Sequence, residues 1–515
     1  MPNPDGSGGI REVQLINGQY PGPLIRAKWG DTIVVNVKNN LQHNGTGIHW
    51  HGLRQLNSCQ HDGVPGVTEC PIAPGKTRQY RFRATQFGTS WYHSHWSAQY
   101  GDGVLGPLII DGPATANYDE DLGALPLTDW YYTPAFTLNE VAQHGGLPPK
   151  PDNILVNGTH VSGPGQGKYA KMKVTQKGAD ISGQGKKYRI RIINTSVDSY
   201  FTVSMDGHPF TVITSDFVPI KKWTANQLTL AIGQRYDVVI EANQTVGNYW
   251  FRVQPGTECG NNSILTKGVT VGAILQYDGA KDENPNSTTS VVLRTTCADE
   301  SSTNLVPFVP NQVPTDVVGR AGKIDLQSSQ NTTTKLFRWL IDGTPHIVNW
   351  NDPTLETILN GSQAFGPNSN VHPMPNKDAW YLWWIQSTAA VKLAHPIHLH
   401  GHDYYILGSG TGVWDGTTNG LTLNNPTRRD TATLPKDGYL LMAFPADNPG
   451  MWIAHCHIAW HASQGLSMQF GERYPDLQGG SLGDTSGLKT GCDEWDGYWF
   501  EGNPEKPYNQ TDSGI

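Results

Sequence analysis

An all-β fold of three consecutive β-sandwich domains is predicted by three observations. β-branched or aromatic residues alternate with polar ones in several stretches, turn-forming residues are abundant, and one local pattern occurs three times. The chain has 515 residues, more than one core's worth at roughly 150 residues per domain. Alternation of period two runs through Gly30 to Leu41, Lys76 to Ala84, Lys187 to Ile193 and Arg235 to Ala242, as half-buried strands require. Helical periodicity is short and local, as near Ala454 to Ser463. The 58 glycines and 35 prolines exceed the usual share of roughly 12% without reaching the level of a disordered chain. The 17 tryptophans offer large surfaces for burial.

The repeated pattern is a strand Tyr, a loop with Gly, and a Trp that opens the next strand. Tyr80 leads through Gly88 to Trp91, Tyr236 through Gly247 to Trp250, and Tyr439 through Gly450 to Trp452. Histidines follow the Trp in the first and third copies but not in the second. Metal chemistry is therefore expected between the first and third domains, with the middle one as spacer and wall. Turn-rich or polar stretches predict domains at 1–113, 114–300 and 301–515.

Charge and hydropathy exclude other classes. The net charge is −8 with no basic cluster, so no nucleic-acid footprint is present. No apolar run approaches the roughly 18 residues of a membrane span, and a soluble chain is expected. Nine Asn-x-Ser/Thr triplets (Asn44, Asn157, Asn194, Asn243, Asn261, Asn286, Asn331, Asn360 and Asn509) fit a secreted glycoprotein. The opening MPNPDGSGG has neither a basic nor an apolar signal segment, so the secreted chain is expected to be mature or truncated.

Four windows, HWH at 49–51, HSH at 93–95, HPIHLHGH at 395–402 and HCHIAWH at 455–461, hold 11 of the 18 histidines. Alternate strand residues share a face. His49 pairs with His51, His93 with His95, and His398 with His400. In His455-Cys456-His457 the two imidazoles share one face and the thiolate takes the other, so one tripeptide can serve two metal sites. His395 has the parity to join Cys456, and His461 can return after the strand to complete the set. Two imidazoles and a thiolate form a blue-copper ligand set. The eight remaining histidines divide among three further ions, giving four coppers. Structural zinc, which favours closed sets of four ligands with several cysteines, fits less well.

In order and position these windows resemble the motifs of the multicopper oxidases. The resemblance covers nearly the whole chain and is closest to ascomycete laccases, through HWHG, TSWYHSH, HPIHLHGHD, HCHIAWH and the ending Asp512-Ser513-Gly514-Ile515. It implies three cupredoxin-like Greek-key domains. It also implies that His395, Cys456 and His461 bind one type 1 copper, His49 and His398 one type 2 copper, and His51, His93, His95, His400, His455 and His457 two type 3 coppers. Leu466 falls at the axial, non-coordinating position, with Met468 as rival. Cys70 is implied to pair with Cys492 and Cys259 with Cys297, leaving Cys59 an unpaired thiol. Relatives of this kind carry several tens of residues before the segment matching Ile10, with an initial strand and a disulfide. Their absence here implies either a truncated chain or an open sheet edge in the first domain.

The implied activity is that of a laccase. A phenol loses one electron at His461, the electron passes through Cys456 to His455 and His457, and four such transfers reduce dioxygen to two waters. Asp198 matches the substrate carboxylate that accepts the phenol's proton; it could also be a turn aspartate. Phe337 and Trp339 match pocket-wall positions. Asp62 matches the acidic residue beside the three-copper cluster, and the tail with Asp512 matches a plug in the solvent channel. Small phenols and dioxygen are the expected partners of a monomer. A more specialised oxidase of one phenolic metabolite, or a metal-ion oxidase, is the alternative, and a cupredoxin-like surface protein without catalysis is the remaining one.

Overall fold

The computed structural model describes all residues except 5, 146–147, 160–167, 176–184, 258–270 and 503–509. Its strands pair within three successive stretches of chain, each with two sheets. The first has a four-stranded sheet (Ile25–Lys28, Leu105–Asp111, Gly88–Ser94, Ile48–Trp50 in spatial order) and the two-stranded sheet Thr32–Lys38 with Thr77–Arg83. Between Glu120 and Tyr277 lie a six- and a five-stranded sheet, and the same pair of sizes recurs between Gly322 and Glu472. The mostly β architecture matches the sandwich folds expected from the sequence.

The repeated Tyr–Gly–Trp pattern has one structural meaning. Tyr80, Tyr236 and Tyr439 each lie on a strand of one sheet, and Trp91, Trp250 and Trp452 on the next strand, which belongs to the opposite sheet. The pattern is the crossing that closes each sandwich. Trp91 and Trp452 are fully buried, as large aromatic surfaces at a sheet-to-sheet corner should be.

Two expectations are modified. The strand Gly450–Cys456 extends through the stretch where helical spacing was noted, and the helix is only Ala459–Ser463; the fully buried strand shows no alternation to betray it. Just after the expected boundary at 300/301 the chain runs along the middle sandwich, where Lys221 N donates to Val306 O and Phe308 N to Pro219 O, and Leu305 sits in the middle core. Asn194 cannot carry a glycan: it is fully buried, and its Nδ2 donates to Ser199 O and Leu230 O at 2.9 and 3.0 Å. Asn157, Asn243, Asn286, Asn331 and Asn360 are exposed and Asn44 is half-buried. Asn261 and Asn509 lie outside the described residues.

Within the first sandwich, strand Thr32–Lys38 pairs on one side only among the described residues. Val35 and Val37 are half-buried beside a groove of about 490 Å³ that Ile25, Trp50 and Val104 also line. Cys70 and Cys492 form a disulfide across 422 residues. Cys259 lies outside the described residues. Cys59 is a buried thiol, its Sγ accepting from Met451 N at 3.3 Å, and burial pushes its pKa well up.

Candidate metal centre

The four histidine windows converge where the first and third sandwiches meet. On the first, His49 pairs in register with His93; on the third, His398 pairs with His455 and Ile397 with Cys456. All ten site histidines and Cys456 are buried.

Two nitrogens and a sulfur meet first. His395 Nδ1 and His461 Nδ1 are 3.1 Å apart, and Cys456 Sγ is 3.6 and 3.5 Å from them. The centre of that triangle is about 2 Å from each corner, the length of a metal–nitrogen bond. Trp339 packs on both rings, with centroids 4.7 and 4.9 Å away, and half-buried Phe337 packs on Trp339. Leu466 is buried, and its carbonyl accepts from Cys456 N at 3.0 Å. Met468 lies opposite Ala454, farther along the strand.

The other eight histidines form a second cluster. His400 Nε2 and His95 Nε2 each lie 3.2 Å from His455 Nε2. His400 Nδ1 is bonded to Asp62 Oδ2 at 2.7 Å and His455 Nδ1 donates to Cys456 O at 3.0 Å. The protons of His400 and His455 thus sit on Nδ1, and their Nε2 lone pairs face one another without a hydrogen between them. His49 Nδ1 donates to Asp62 O and His398 Nδ1 to Asp430 O, at 3.0 and 2.9 Å, leaving both Nε2 atoms buried and unpartnered. His51 Nδ1 is 3.3 Å from His457 Nε2, and His93 Nε2 is unpartnered nearby.

Burial first, and then neighbouring imidazoles, push His51, His93, His95, His400, His455, His457 and His461 well below 6.5; burial lowers His395 to about 3. Neutral imidazoles with opposed lone pairs repel one another unless cations lie between them. The donor set therefore fits copper, with nitrogen and thiolate ligands and little oxygen. His402, the last histidine of its window, points elsewhere, its Nε2 3.1 Å from buried Glu472 Oε2.

Asp62 is fully buried and holds two cluster histidines, its Oδ1 lying 3.2 Å from His49 Nδ1. The tail runs alongside. Asp512 accepts from Ser97 Oγ and from Asn139 Nδ2, the latter at 2.8 Å, while Ser463 Oγ donates to Ile515 O at 3.4 Å. Ile515, His93, His95, His455 and His457 line a cavity of about 20 Å³, room for one water-sized molecule. Asp198 is also buried; its backbone N donates to Asp129 Oδ2 at 2.9 Å, and its own Oδ2 is unpartnered. Burial, then Asp129, raises its pKa well above the carboxylate range. Its loop is tied to the helix of His461 through Ala459 N and Val197 O at 2.9 Å.

Three stretches of the chain, 3–115, 123–280 and 344–476, match multicopper oxidase family models. Laccase-3 of Botryotinia fuckeliana is 47% identical over 466 residues, covering 87% of this chain and all of that one. The chain belongs to the multicopper oxidases, and is an enzyme of their laccase type. The laccase of Neurospora crassa is 43% identical over 523 residues, covering 98% of this chain and 81% of its own. Among solved structures, the laccase from Botrytis aclada superposes with a TM-score of 0.89 at 42% identity, covering 99% of this chain and 92% of that one.

Sequence reasoning overlooked Asp430, which contacts two cluster histidines, and Arg235, which contacts Asp430. Neither belongs to a spaced motif. His346, buried with its Nδ1 2.6 Å from Ser467 Oγ, was equally invisible as a lone histidine.

Proposed function

We propose that this oxidase has broad phenol scope, taking one electron at a time from small phenols and giving four to each dioxygen. Four phenols release four electrons and four protons, forming phenoxyl radicals; dioxygen takes up both and becomes two waters. One observation carries the reading. Cys456 belongs to the two-histidine, one-thiol triangle, while its covalent neighbours His455 and His457 belong to the eight-histidine cluster. An electron entering at the first site reaches the second largely through bonds.

His395, Cys456 and His461 would hold a type 1 copper, with Leu466 as its non-coordinating neighbour. His49 and His398 would hold a type 2 copper, and His51, His93, His95, His400, His455 and His457 a type 3 pair. Four coppers there would supply the one-electron chemistry. Asp198, with its raised pKa, takes the phenol's proton beside the helix of His461. Asp62 orients His49 and His400 and hands protons toward the cluster, and the tail with Asp512 seals the small cavity. The domain units are those expected from the sequence, with the second boundary moved beyond Phe308.

Exposed sequons and a formed disulfide support secretion. Among the described residues no helix is long and apolar enough to cross a membrane. The chain works as a monomer on phenols and dioxygen, in settings such as lignin breakdown, pigment formation or defence.

Metal analysis with visible absorption tests the class: four coppers per chain and an intense blue band are expected, and zinc or an empty protein overturns it. Steady-state comparison of simple phenols, a bulky dimeric phenol and ferrous ion tests the scope, and preference for ferrous ion overturns it. Asp198→Asn is expected to lower kcat/KM for phenols by roughly 10²-fold while sparing a donor that loses no proton.

A further inference from the structure

The middle sandwich supplies no cluster histidine, yet it reaches the cluster with one side chain. Arg235 begins the strand Arg235–Ala242 and is completely buried. Its Nε donates to Thr89 O of the first sandwich at 3.0 Å, and its Nη1 to Asp430 Oδ1 of the third at 2.7 Å. One guanidinium thus spans all three units. Asp216, also of the middle sandwich, accepts from Arg235 N at 3.0 Å, from Arg429 Nη2 at 3.0 Å and from Asp430 N at 3.2 Å. Asp430 is therefore gripped at its backbone and at its carboxylate.

What Asp430 holds in turn is a choice of ring nitrogen. Its Oδ1 is 3.2 Å from His51 Nε2. A carboxylate there keeps the proton on Nε2 and leaves the Nδ1 lone pair facing His457. His49, His398, His400 and His455 do the opposite, bonding outward through Nδ1. The turn preceding Arg235 also abuts the cluster: at Gly233, φ +85°, a Cβ would come within 2.9 Å of His457 and 3.0 Å of His51. A buried ion pair adds little net stability compared with apolar residues of the same shape, so the use of this one is geometric. Partners behind a ligand set its tautomer and orientation.

We infer that Arg235 is a positioning residue for the copper cluster, fixing Asp430 so that His51 presents Nδ1. This rests on the functional reading above. The test compares copper-loaded parent, Arg235→Met, Arg235→Lys and Arg189→Met. The last breaks the buried Arg189–Asp237 pair within the middle sandwich. Copper per chain, the blue absorption of the thiolate site, and the electron paramagnetic resonance of the type 2 ion are measured.

Arg235→Met is expected to keep the blue band, lose copper from the cluster and alter the type 2 signal. Arg235→Lys is expected to show a smaller change, because one ammonium cannot span Thr89 O and Asp430. Arg189→Met should leave all three readings at parental values. A Met variant identical to the parent overturns the inference, as does an Arg189→Met protein that loses cluster copper equally. If the Met variant does not fold, an Arg235→Lys protein with parental copper and signals overturns it. A parent that binds no copper fails the functional reading instead.

Discussion

Cys456 Sγ and the two Nδ1 atoms around it form a triangle with sides of 3.1 to 3.6 Å, and replacing the sulfur removes the only soft ligand. Cys456→Ser is expected to abolish the blue band and phenol turnover while the sandwich persists, as circular dichroism would check. Leu466→Met puts a thioether where a non-coordinating side chain now packs, so the site's potential should fall in a redox titration. An unchanged potential would place Leu466 outside the immediate surroundings of the thiolate site. At this scale the sequence was largely legible, since period-two spacing dictates which histidines share a face. Which nitrogen His400 and His51 offer was not, because Asp62 and Asp430 bond to those rings from segments distant along the chain.

Among elements, the tail and one buried carboxyl make separate predictions. Removing residues 512–515 uncovers the cavity that Ile515 lines and strips Asp512 from Ser97 and Asn139. Oxygen consumption should drop, and unchanged turnover would reject the seal. Glu69 is buried, accepts from Tyr80 Oη at 2.7 Å, and has its pKa raised by burial from 4.5 to about 7. The folded chain therefore binds the extra proton, and this group's contribution is present below 4.5 and lost as pH rises to about 7. Glu69→Gln should flatten that part of the stability profile, measured by denaturant unfolding across the range. The Tyr–Gly–Trp repeat was legible because the sheet-to-sheet crossing needs a loop and a buried ring in every copy. The strand Gly450–Cys456 was obscured because burial on both faces erases alternation.

Across the whole molecule, three sandwiches meet at one guanidinium, a convergence that no local pattern announces. The third sandwich is also stitched to the first by Cys70–Cys492. Replacing both cysteines by alanine should cost about 2–5 kcal/mol, read as a lower denaturation midpoint. The closure has a practical corollary for handling the protein. Because the bond joins positions 422 residues apart, a protease that nicks any loop between them yields pieces that still travel as one body. Integrity must then be judged on reduced samples, since an unreduced gel would report a cut chain at its full mass.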